Sequence, residues 1–66
     1  MTFGERLRRL RKEHLLTIKE LAARSGLTPT TITNFEHGYR SPNTITISKL
    51  ATALGVTYEE LAGENE

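Results

Sequence analysis

The sequence predicts an all-α fold, a compact five-helix bundle, on three observations. Apolar residues recur at helical spacing, four glycines stand where helices would stop, and threonines stand where helices would start. Strands are not expected. The 66 residues make one domain, residues 1–66. A chain this short buries only about 60% of its unfolded surface. Its stability must therefore come from well-capped helices or from a partner subunit.

The first helix is expected over about residues 3–14, where Phe3, Leu7, Leu10 and His14 form one stripe and Arg6, Arg8, Arg9 and Lys12 lie mostly off it. The second, over 18–25, starts on Thr17 as N-cap with Glu20 three residues on, a capping box bracketed by the apolar pair Leu16 and Leu21. The third, over 29–37, starts on Thr28 and has Pro29 at its first position, where the missing N–H costs nothing. Leu27 and Ile32 are its apolar pair. The fourth, over 44–54, starts on Asn43 and carries the stripe Ile47, Leu50, Ala51 and Leu54. The fifth, over 58–62, repeats the capping box with Thr57 and Glu60, bracketed by Val56 and Leu61. Gly26, Gly38, Gly55 and Gly63 supply the left-handed C-terminal caps.

Composition narrows the function. There is no cysteine, which excludes disulfides and thiolate metal sites. No apolar run reaches about 18 residues and no signal-peptide core is present, so a cytoplasmic protein is expected, without membrane partners. The net charge of +1 hides an asymmetry. Residues 1–40 carry eight Lys/Arg against four Glu, while residues 41–66 carry Lys49 against Glu59, Glu60, Glu64 and Glu66. A polyanion on one side would explain this, and ordinary solvated helix faces explain it equally well. The tail Gly63-Glu64-Asn65-Glu66 reads as a frayed end.

The second and third helices carry the functional signal. Ala22 is small where two helices must approach, Gly26 four residues later permits the turn, and Ile32 and Phe35 anchor the third helix to the core. Those offsets, with Leu21 and Leu27 between, match a helix-turn-helix. Together with Leu10-Arg11, Phe35-Glu36-His37-Gly38, Pro42-Asn43 and Leu50-Ala51-Thr52-Ala53-Leu54-Gly55-Val56, the chain resembles the Cro/phage-repressor type (XRE family) from residue 3 to about 63. The resemblance implies a lambda-repressor-like DNA-binding domain whose third helix lies in the major groove. It further implies a sequence-specific transcriptional regulator, in the manner of a repressor, in a bacterial or phage-type cytoplasm at the nucleoid.

What the resemblance implies residue by residue begins with base contacts at Pro29, Thr30, Thr33 and Asn34. Asn34 can pair bidentately with adenine, and a threonine methyl can meet a thymine methyl. Phosphate contacts fall at the start of the second helix, Thr17 and Ile18, and in the loop Tyr39, Arg40, Ser41 and Asn43, with Arg40 supplying the charge. Arg11 and Glu36 are implied as a fold-holding ion pair. The bland reading of each surface residue is a solvated helix face, and of Arg40 simple solubility. Two residues depart from the family pattern. Many relatives carry glutamine at the position of Ile18 and a polar or basic residue at that of Pro29, so a thymine-methyl or backbone contact is expected there.

Other functions fit less well. His14 and His37 are separated by a helix and a turn, and there is no phosphate loop, paired-carboxylate cleft or HExxH motif, so neither an enzyme nor a metal or cofactor site is expected. Nor does a small-molecule effector suggest itself. The alternative is a protein-interaction module on the same fold, antitoxin-like or phage-regulatory. Ile45, out of phase with its helix's stripe, is the residue that would mark such a contact. A homodimer on a DNA operator is expected, because one helix reads only a few base pairs and specificity needs two half-sites roughly 34 Å apart. In relatives the contact surface lies near Val56–Leu61 and the loop before the fourth helix.

Overall fold

The computed structural model describes residues 1–63, and among these it has five helices and no strand: α1 (Phe3–Glu13), α2 (Ile18–Ser25), α3 (Pro29–Glu36), α4 (Thr44–Leu54) and α5 (Tyr58–Ala62). The tail residues Glu64, Asn65 and Glu66, read above as frayed, lie outside the described residues. Every helix starts on a side-chain oxygen that accepts the N–H of its third residue, from Thr2, Thr17, Thr28, Asn43 and Thr57 in turn. Such a cap contributes about 1 kcal/mol. Thr2 and Glu5 close a capping box like those of Thr17 with Glu20 and Thr57 with Glu60. The sequence reading passed over the first box, although Thr2-Phe3-Gly4-Glu5 has the same spacing.

The helices join by one repeated device. At the end of α2 the Leu27 N–H donates to the Ala22 carbonyl at 3.1 Å, and at the end of α4 the Val56 N–H donates to the Ala51 carbonyl at 3.0 Å. The residue before each is a glycine in the left-handed region, Gly26 at φ 75° and Gly55 at φ 74°. The chain end of α3 repeats this with Tyr39 to Asn34 at 2.9 Å and Gly38 at φ 79°. At the end of α1 the Leu16 N–H donates to the Arg11 carbonyl at 3.0 Å, but the left-handed residue is Leu15, at φ 58°. In three of these joints the next residue is apolar and the one after it is the threonine that caps the following helix.

α1 packs on α3 and α5, α2 on α3 and α4, and α4 on α5. Leu7, Leu21, Ile32, Leu50 and Leu61, one from each helix, are fully buried at the centre, each contributing about 1.5–3 kcal/mol. Phe35 lies beside them and meets Phe3 edge-to-face, ring centroids 6.1 Å apart. Two expectations for α1 need correction. His14 does not extend the apolar stripe: the helix ends at Glu13, and His14 is its exposed cap. Arg6, off the stripe, is nevertheless buried, because its guanidinium donates to the Leu61 carbonyl at 3.2 Å and the Met1 carbonyl at 3.1 Å. It ties the end of α5 and the chain start to α1.

Candidate nucleic-acid interface

α3 is anchored from behind. Ile32 and Phe35 fill the core, and the polar residues between them turn away from it. Pro29 and Thr30 are exposed at the start of the helix, while Thr33 and Asn34 are half-buried further along. These four share one side of the helix by register. Thr31 is taken up locally, its hydroxyl 2.9 Å from that of Thr28. The one charged residue of α3, Glu36, is turned inward, so the outer face is a neutral set of hydrogen-bonding and methyl groups.

Glu36 meets Arg11 across 25 residues of chain. Nε of Arg11 donates to one carboxylate oxygen at 2.6 Å and Nη2 to the other at 3.2 Å, while Nη1 donates to the Leu16 carbonyl at 2.8 Å. Their side chains are 9% and 4% exposed. A carboxylate at a helix C-terminus faces the negative end of the dipole and needs a cation there. One arginine thus neutralises the end of α3 and also fixes the α1–α2 joint.

The residues expected at phosphates stand in three local settings. Thr17 is exposed, but its hydroxyl is occupied as the cap of α2, accepting from the Glu20 N–H at 3.0 Å. Its own N–H donates to the Glu20 carboxylate at 2.8 Å, and that bond holds the Glu20 carboxyl below the usual carboxylate range. Ile18 is half-buried and packs against the core, so its apolar side chain is already partly covered. In the loop after α3, Tyr39 stands 78% exposed with its ring edge-to-face on His37, centroids 5.7 Å apart. Arg40 lays its guanidinium over the Phe35 ring at 5.6 Å from the centroid, and no carboxylate pairs with it among the described residues. Ser41 is exposed, and Asn43 is exposed but committed as the cap of α4, accepting from the Thr46 N–H at 2.8 Å.

Phe3, expected on the apolar stripe of α1, and Gly4, which the sequence reading did not single out, meet the last turn of α3. A glycine inside a helix runs against propensity and is a sign of close backbone approach. Among the described residues no group of three or more His, Cys, Asp and Glu could hold a metal ion, and no helix is long and apolar enough to cross a membrane.

The sequence profile of a family described as helix-turn-helix matches residues 7–61. The chain belongs to that family, and its type is the XRE type. Among its helix-turn-helix relatives is the transcriptional repressor RghR of Bacillus subtilis (strain 168), 48% identical over 61 residues, covering 91% of this chain and 45% of RghR. The chain therefore spans less than half the length of that relative. Its helix-turn-helix architecture also matches two solved structures. One is the restriction-modification controller protein C.AhdI from Aeromonas hydrophila, at TM-score 0.87 and 42% identity, with 89% of each chain covered. The other is the clp gene regulator ClgR from C. glutamicum, at TM-score 0.84 and 26% identity, covering 97% of this chain and 88% of that one.

Proposed function

We propose that this helix-turn-helix chain binds double-stranded DNA in a sequence-specific way as a transcriptional regulator, a repressor by preference, with α3 in the major groove. The observation that carries the reading is the outer face of α3. Its side chains, Thr30, Thr33 and Asn34, match base-edge donors, acceptors and methyls, and the helix is pinned from behind by Ile32, Phe35 and the Arg11–Glu36 pair. Family membership and the named regulators among the relatives support it. In this reading Asn34 reads a base bidentately, Thr30 and Thr33 contact thymine methyls, and Pro29 packs against the groove. Backbone N–H groups at the start of α2, beside Thr17 and Ile18, meet a phosphate, and Tyr39, Arg40, Ser41 and Asn43 meet a second. The occupied cap hydroxyl of Thr17 makes that first contact a main-chain one. The protein carries out no catalysis, needs no cofactor or small-molecule effector, and acts in the cytoplasm.

Two half-sites require two copies. Ile45, 67% exposed at the start of α4, supplies an apolar contact for a second subunit. The test is in vitro selection from a random duplex library, with affinity followed against salt. Enrichment of an inverted repeat with half-sites one turn apart is the expected result. Asn34→Ala then relaxes one position of each half-site by about 1–3 kcal/mol, and Arg40→Ala weakens all sequences alike and lowers the salt slope by about 1. Weak, salt-sensitive binding without enrichment would refute the proposal.

A further inference from the structure

We propose that Gly4 and Phe3, in the first turn of α1, set the tilt of α3 and so decide how well Thr33 and Asn34 discriminate bases. The inference rests on the reading above, in which α3 enters the major groove. Glycine is the poorest helix former after proline, so its place inside α1 is locally unfavourable and needs a tertiary reason. The reason is a backbone-to-backbone approach. A methyl group on Gly4 would stand inside any allowed contact of the Phe35 carbonyl oxygen, 2.7 Å from the Glu36 carbonyl oxygen and 3.0 Å from its carbon. No rotamer change relieves a contact with main-chain atoms, so the two helices would have to part. Taking the Glu36 oxygen alone from 2.7 Å to an ordinary 3.4 Å needs a shift of about 0.7 Å.

The consequence depends on which end of α3 is held by what. Its start is fixed to α2 by the Leu27-to-Ala22 bond and the Thr28 cap. Its last turn is fixed to α1, by Gly4, by the edge-to-face contact of Phe3 with Phe35, and by Arg11 on Glu36. Parting α1 from α3 at Gly4 therefore rotates α3 about its own start. The eight residues of α3 span about 12 Å, so a displacement of about 0.7 Å at one end is a tilt of a few degrees. Thr33 and Asn34, about 6 and 7.5 Å along the helix from Pro29, move by about 0.5 Å, whereas Pro29 and Thr30 sit near the pivot. A bidentate bond near 2.9 Å with a preferred angle loses much of its strength at such a displacement. Gly4 and Phe3 are thus positioning residues: they touch no base and act through α3.

The experiment compares the base preferences of the wild type, Gly4→Ala, Phe3→Ala and a control, Ala51→Gly, by selection from random duplexes and competition titration. Ala51 is in α4, which packs on α2 and α5, so its substitution lowers stability away from the α1–α3 contact. The positions read by each end of α3 are assigned beforehand with Thr30→Ala and Asn34→Ala. Gly4→Ala and Phe3→Ala are expected to lose about tenfold of discrimination at the Asn34 positions. Both keep the Thr30 positions, the affinity for non-specific DNA and the salt slope, and Ala51→Gly keeps the whole pattern. Should Gly4→Ala fail to fold, Phe3→Ala decides alone, since Phe3 is part-exposed and its truncation is milder. Folded variants with wild-type preferences, or with an even loss at every position, would overturn the inference while leaving the DNA-binding reading intact. A wild type that selects no sequence at all would overturn both.

Discussion

Leu15 offers a direct test of how the helix joints work. Three other joints place a glycine in the left-handed region, and this one places a leucine there, at φ 58°. An L-residue in that conformation carries a cost of about 1–2 kcal/mol from its Cβ meeting the following carbonyl. The side chain returns nothing through burial, because it is 88% exposed. Leu15→Gly removes the steric term and adds about 0.5–1 kcal/mol of unfolded-state entropy, leaving a net gain of up to about 1.5 kcal/mol with a midpoint of about 0.75 kcal/mol. For a domain of this size that raises Tm by about 2–8 °C. Leu15→Val, branched at Cβ, shifts Tm the other way. Both are read by thermal and urea denaturation followed by circular dichroism, with Cm moving and the m-value unchanged. A Leu15→Gly protein no more stable than the wild type, or a Leu15→Val protein equal to it, would show that the joint carries no strain and refute the reasoning.

Three further outcomes follow from the contacts. Arg11→Met strands the Glu36 carboxylate and frees the Leu16 carbonyl, so it should cost about 3–5 kcal/mol, a large share of the stability of such a chain. Arg11→Met combined with Glu36→Leu should cost less than Arg11→Met alone, and urea titrations in which the two losses simply add would count against a desolvated pair. The Glu20 carboxyl is held low by the Thr17 N–H, so its contribution is fully present above the ordinary carboxylate range and is lost as pH falls through the lowered value. Acidification should therefore fray the first turn of α2, seen as faster amide exchange there, and Glu20→Gln should flatten that response. The proposed dimer predicts that Ile45→Glu leaves the fold intact while shifting sedimentation from dimer to monomer and reducing operator affinity; an unchanged sedimentation coefficient would refute Ile45 as the subunit contact.

The parts of this fold that were legible in the sequence are those whose physics closes within a few residues. Thr17 with Glu20, Thr28 with Pro29 and Thr57 with Glu60 are complete start signals inside four positions, and Gly26, Gly38 and Gly55 are stop signals at one. The failures are residues whose partners are distant or whose conformation is imposed. Period alone placed His14 on the stripe of α1, because nothing local says that the helix ends at Glu13. Arg6 is buried by a carbonyl 55 residues away, which no pattern around position 6 records. Leu15 is left-handed because Leu16 must enter the core and Thr17 must cap α2, so its neighbours dictate a φ that its own side chain disfavours. The outer face of α3 has a different standing. Ile32 and Phe35 are determined by the core they fill and Pro29 by the helix start, but Thr30, Thr33 and Asn34 fill no such structural role among the described residues. Folding physics fixes where they stand and leaves their identity free, so in the proposed reading the choice of threonine and asparagine there is set by the DNA they meet and not by the fold.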